Sequence, residues 1–485
     1  MASRVICSSC RHCAPSALAS RVARTLSHQC KASEYMASLL DRIGDASIAD
    51  ASSDELRSAV EAIASASSDA YTEWARRTLQ IAVHDCYRLS GGGGDDRGVV
   101  AARAIDASPS QPVELVVVPF DAMLHATAAL VCNSQAEAAA AKAFAAVANK
   151  LTREDDVLAC RLLFERHLGD RSRWFQHVRR LPDMPDHCVL RWSDAELAEL
   201  AGSDARLMAA RWREQVAADF KEIEAAAATA GPKREAFPWL EVDAYRWAIS
   251  MVFSRAITVR RGAGAIKALV PVVDMFNHDP AAPTAHAFDA ARDALVVRRE
   301  APAAAGATLS IVYEHATASR LLLLYGFVPP LAQTQHAGRD VFAGLAPDAP
   351  HRVEKLAVLA GFGVKAQAAG EEPFVVSEAD PLPDALALTL YAQRCDLDAL
   401  GRLVADRADR DAATARAGLG DLVAACDAML SGYPSSEAED LAALADGGLE
   451  PRRRLALLVR VPERRALVAC RREAAARREA VADVD

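Results

Sequence analysis

The chain has 485 residues, 52% of them hydrophobic and 25% charged, which supplies real cores and, at roughly 100–200 residues per domain, length for two or three domains. A single small module and wholesale disorder are excluded, and no run approaches the roughly 20 uninterrupted apolar residues of a membrane-spanning helix. The net charge of -9 argues against bulk electrostatic capture of nucleic acid, and eleven cysteines without a repeating spacing do not form a secreted disulfide framework.

Residues 1–33 hold five Lys or Arg, seven Ser and no acid before Glu34. That composition predicts an organelle transit peptide over 1–34, the plain alternative being an ordinary flexible N-terminus. Cys7, Cys10 and Cys13 beside His12 are too closely spaced, on too irregular a segment, for a four-ligand zinc site, so no metal is expected. Residues 35–78 repeat apolar positions at three-to-four spacing and predict a helical extension.

From Leu79 the pattern turns to strands: LQIAVHDCYRL, then four glycines, Gly91 to Gly94, then RGVVAARAI and ELVVVP. Helical periodicity returns over about 134–245, and DAYRWAISMVFSRAI predicts a further helix. Strands resume with KALVPVVDMF, DALVVRRE and ATLSIVY, which leads into RLLLLYGFVPP. After a short strand region, amphipathic helices run from Leu382 to the end. The predicted fold class is α+β: a β-rich domain over 79–328, split by the helical insertion, then an all-α domain over 335–485.

Chemistry concentrates in VPVVDMFNHDP (270–280) and ATLSIVYEHATASRLLLLYGFV (307–328). An apolar run ending in Asp, Asn and His, and a strand ending in Tyr, are unusual for a core. Singly, Asn277 and His278 read as turn caps and Tyr313 as a half-buried strand aromatic.

Together the two segments resemble the signature motifs of the SET domain, in the subclass of plant Rubisco large-subunit lysine methyltransferases and their animal relatives. The likeness extends, in order, through DDRGVVAARAI, ELVVVP, LLFERHLGDRSRWFQHVRRLP, WAISMVFSRAI, LSGYPSSEAEDLAAL and RRRLALLVRVPERRAL. It implies that the two motifs thread into a pseudoknot and that 335–485 is a Rubisco LSMT-like substrate-binding domain. By the resemblance, Arg255 takes the carboxylate of S-adenosyl-L-methionine, Asn277 and His278 hold its adenine region, and Asp95, Asp96 and Arg97 form the hairpin that touches it. Tyr313 is the catalytic channel tyrosine, and Tyr325 and Phe327 form an aromatic wall. Arg255 and Asp274 stand where the plant enzyme contacts its substrate. Glu314, Thr317, Ala318, Ile257 and Val259 depart from the family pattern, and the last removes a substrate contact of the plant enzyme.

The resemblance implies a monomeric protein-lysine N-methyltransferase acting on a non-histone protein, such as the Rubisco large subunit or another stromal protein, with no nucleic-acid or membrane partner. Transfer to histidine and a catalytically inactive binding module are the alternatives. Plastid stroma is the expected compartment, with mitochondrion or cytoplasm as alternatives.

Overall fold

The computed structural model describes residues 69–90, 98–128, 130, 135–183, 187–230, 237–314, 316–370, 372–407 and 410–481. The transit-peptide reading, most of the predicted helical extension and the hairpin residues Asp95, Asp96 and Arg97 lie outside them. The chain divides into two compact units, one of residues 1–184 and 219–314, the other of 185–218 and 315–485.

Among the described residues the first unit contains three sheets. Strands β1 (Ala82–Val83), β2 (Tyr87–Ser90), β3 (Gly98–Ala101), β4 (Val113–Pro119) and β5 (Leu124–His125) precede the inserted helices. Strands β6 (Ala256–Arg261), β7 (Gly264–Leu269), β8 (Asn277–His278), β9 (Thr284–Asp289), β10 (Ala294–Arg299) and β11 (Thr308–Ile311) follow. The sheet orders are β1-β4-β10-β9, β2-β3-β11-β8 and β5-β7-β6. Central β4 and β10 bury Val116, Val118, Val296 and Val297, as β-branched runs covered on both faces must.

The sequence predicts one long strand through KALVPVVDMF, and the structure corrects it. β7 stops at Leu269; Pro271 has no N–H to give a ladder, and Val272 adopts φ 74°. A positive φ is a true outlier for a β-branched residue and stops regular pairing. Val273–Met275 then forms a 3-10 turn, leaving only the two residues of β8 extended.

Helices Gln135–Ala148, Glu154–Leu168 and Val242–Arg255 build the helical part of this unit. Glu165, Ser172 and Trp174 of the ERHLGDRSRW stretch are bonded in the interior. Glu165 Oε1 accepts from Arg161 Nε at 2.8 Å and its Oε2 accepts from Ser172 Oγ at 2.5 Å, all in the interior. Trp174 Nε1 donates to Ala122 O at 2.9 Å. A buried charge pair with its remaining atoms bonded is one the interior tolerates.

Among its described residues the second unit is helical apart from strands β12 (Gly338–Val341) and β13 (Phe374–Ser377), which pair antiparallel. Its core packs Leu359, Leu386, Leu388 and Leu403 with Cys426, Leu467 and Cys470. Helix Pro451–Ala480 carries Arg460, Glu463 and Arg464 inward. Asp440 accepts from Arg460 at 2.8 Å and from Arg464 at 3.3 Å, and Glu463 accepts from Arg339 at 2.8 Å. Ser436 caps Glu437–Ala445 with Glu439 reaching back, a reciprocal capping box. Among the described residues no helix is long and apolar enough to cross a membrane, and no group of His, Cys, Asp and Glu could hold a metal ion.

Candidate active site

The decisive local feature is a parallel pairing. β8 lies beside β11 with Asn277 opposite Ser310 and His278 opposite Ile311, and Asp279 N donates to Ile311 O at 3.1 Å. Parallel neighbours cannot be joined by a hairpin; the strap over 272–276 leads into β8, and the connection on to β11, two residues before Tyr313, runs through β9 and β10. Among the described residues β8 is the edge strand of that sheet.

Tyr313 is held at both ends. Its backbone N–H donates to His278 Nδ1 at 3.0 Å, and its hydroxyl donates to Phe276 O at 2.5 Å. The His278 and Tyr313 rings lie 5.3 Å apart. Burial pushes the phenol up to about 12, against the lowering effect of the Arg255 cation. The hydroxyl is therefore neutral, with its proton committed to a carbonyl.

Arg255 ends helix Val242–Arg255 and donates from Nη1 to Asp274 O at 2.9 Å; the same nitrogen is 4.0 Å from Asp274 Oδ2. The Asp274 side chain has no exposure at all. Asn277 is exposed, and its amide lies over Gly98: a Cβ built there would meet Asn277 Nδ2 at 2.8 Å. Glycine at 98 thus lets the start of β3 approach the Asn-His strand.

The structure brings Arg255, Asp274, Asn277, His278 and Tyr313 together in the first unit. Tyr325 and Phe327 belong to the second unit, with ring centroids 6.1 Å apart. Two residues that no motif signals stand behind Asp274: His177, whose Nε2 is 3.5 Å from Asp274 Oδ2, and Tyr71, whose hydroxyl is 3.1 Å from His177 Nδ1. The only hint in the sequence is the placement of His177 inside the WFQHVRRLP stretch.

The architecture is that of the SET domain as found in LSMT. A structure described as the SET domain of LSMT bound to lysine and AdoHcy superposes with a TM-score of 0.66 at 20% identity, covering 86% of this chain and 92% of that one. Rubisco LSMT bound to AdoMet gives 0.65 at 21% identity, covering 86% and 93%. The more particular assignment comes from the C-terminal unit, where residues 346–467 match the family model for the Rubisco LSMT substrate-binding domain. The chain thus has the SET fold and carries a segment that matches the Rubisco LSMT substrate-binding domain.

Curated relatives agree. The chloroplastic fructose-bisphosphate aldolase-lysine N-methyltransferase of Arabidopsis thaliana is 26% identical over 330 residues, 61% of this chain and 64% of that protein. The chloroplastic N-methyltransferase of the ribulose-1,5-bisphosphate carboxylase/oxygenase large subunit of Nicotiana tabacum is 24% identical over 323 residues, 61% and 62%. The matched segments thus span somewhat less than two thirds of either relative.

Proposed function

We propose that this chain is a protein-lysine N-methyltransferase that uses S-adenosyl-L-methionine and acts on a non-histone protein of the plastid stroma. The observation that carries the reading is Tyr313: the β8–β11 pairing sets a neutral, half-buried phenol beside the Asn-His strand, with its proton committed to Phe276 O. The solved relatives bound to AdoMet and to lysine, and the two chloroplastic lysine methyltransferases, support it.

The donor set fits the cofactor. Arg255 offers a half-buried guanidinium suited to a carboxylate, and Asn277 adds an exposed amide beside a glycine that leaves room. When bound, S-adenosylmethionine supplies a methyl group on a cationic sulfur. Asp95, Asp96 and Arg97 would complete the pocket in this proposal.

The protein's task is then to present a neutral, aligned amine. A free lysine has a pKa of about 10.4, so an apolar channel must favour its uncharged form. Tyr313 is poorly suited to be a general base, because burial holds its phenol near 12 and its proton is already donated. Its oxygen is instead placed to accept an N–H and orient the lone pair, which makes positioning the main contribution. In the test, full-length protein is incubated with methyl-labelled cofactor and a stromal extract. A discrete labelled protein band is expected; a well-folded, cofactor-binding sample that labels nothing in stromal, mitochondrial or cytosolic extracts contradicts the reading.

A further inference from the structure

Asp274 is the residue whose surroundings demand an explanation. Its carboxylate is fully enclosed, and among the described residues neither oxygen receives a hydrogen bond. A buried carboxylate without balancing charge or donors is strongly unfavourable. Among the described residues two side chains make ion-pair contacts with it: Arg255 Nη1 at 4.0 Å from Oδ2, already bonded to the Asp274 carbonyl, and His177 Nε2 at 3.5 Å from the same oxygen.

His177 is itself wholly enclosed and is held from behind. Tyr71 accepts the Val272 N–H at 3.1 Å and lies 3.1 Å from His177 Nδ1, so its own proton is available to that nitrogen. Tyr87 donates to Val272 O at 3.1 Å, which clamps both sides of the residue at φ 74°. A strained residue persists only where its surroundings over-determine it. Here the clamp sets the path of residues 272–276, and that path fixes both the carbonyl that orients Arg255 and the carbonyl that receives the Tyr313 hydroxyl.

We propose that His177 is a positioning residue for methyl transfer: it presents a protonated Nε2 to the Asp274 carboxylate and so holds the strap that aims Arg255 and Tyr313. On this inference Asp274 works as an internal brace, with no direct contact to the substrate. The proposal rests on the methyltransferase reading for its kinetic consequence only. The state of the imidazole is independent of that reading.

The test uses full-length protein and two substitutions, His177→Phe, which fills the space without a donor, and His177→Gln, whose amide nitrogen can stand near the Nε2 position. Imidazole nitrogen resonances of isotope-labelled wild type, assigned by their loss in His177→Gln, are expected to show Nε2 protonated and to move in Asp274→Asn. Calorimetry is expected to show about tenfold weaker S-adenosylmethionine binding in His177→Phe, through Arg255. Turnover is expected to fall about 10- to 100-fold, the scale on which small misplacements act, with KM for the protein substrate within about threefold. His177→Gln is expected to recover most of both. An unprotonated Nε2 in the wild type overturns the proposal, as does a folded His177→Phe with binding and turnover within twofold of wild type. If His177→Phe does not fold, the resonances and His177→Gln decide. A protein that transfers no methyl group at all sinks the methyltransferase reading and leaves the resonance result to judge His177.

Discussion

Replacing Tyr313 by Phe removes one oxygen and leaves the ring. That oxygen donates to Phe276 O at 2.5 Å, and Phe276 is fully buried. The carbonyl left behind loses its side-chain donor, a cost of about 1–3 kcal/mol for a buried group. The variant should therefore melt somewhat earlier but remain folded. The chemical loss is expected to be larger: without the acceptor that aligns the amine, turnover should fall about 100-fold, or ~2.7 kcal/mol in the barrier. Cofactor affinity should stay within about threefold, because Arg255 and Asn277 do not depend on the hydroxyl. The assay pairs labelled-methyl incorporation into a stromal extract with calorimetric titration of S-adenosylmethionine on the same sample. Turnover within twofold of wild type would refute the role given to Tyr313. A parallel collapse of cofactor binding would show that the hydroxyl acts through the fold rather than through alignment.

Other outcomes follow from particular contacts. Gly98→Ala should leave the melting temperature nearly unchanged, because the clash falls on the movable Asn277 amide, yet weaken S-adenosylmethionine binding about tenfold, roughly one hydrogen bond, by calorimetry. Gly202→Ala should destabilise the protein severely in thermal unfolding, since φ is +87° and a Cβ would stand 2.5 Å from the Tyr433 ring. Burial, partly opposed by Arg339, pushes the Glu463 carboxyl up to about 7. The native state therefore holds more protons than the unfolded chain between about 4.5 and 7, and stability from this group falls as pH rises through that window. Burial, with the Arg161 and Arg261 cations, pulls His125 down to about 4, so its contribution falls as pH drops from about 6.5 towards 4. Melting temperature against pH should lose the first slope in Glu463→Gln and the second in His125→Gln.

What could be read from the sequence follows from what kind of signal each element carries. Strands such as β4 and β10 are short, β-branched and bounded by turn residues, so their own composition declares them. The Asn277–His278 and Tyr313 segments are legible because their polar residues interrupt apolar runs at strand ends. VPVVDMF misleads for the opposite reason: it is as apolar as a central strand, and its departure from one depends on Val272 being clamped by Tyr71 and Tyr87. His177 is illegible because a single histidine on a short helix acquires meaning only from Asp274. Tyr71 lies 106 residues before His177 and shares no spacing with it. The Glu165, Ser172 and Trp174 stretch reads as a motif, yet its bonds hold the interior together.

The central claim is that a methyl group passes from S-adenosylmethionine to a lysine of a stromal protein. The direct measurement is peptide mass spectrometry of the protein labelled by full-length enzyme, with Tyr313→Phe as the control. The account predicts whole-methyl mass increments localised to a lysine side chain and absent from the control. Increments on histidine, or none with a cofactor-binding enzyme, would contradict it.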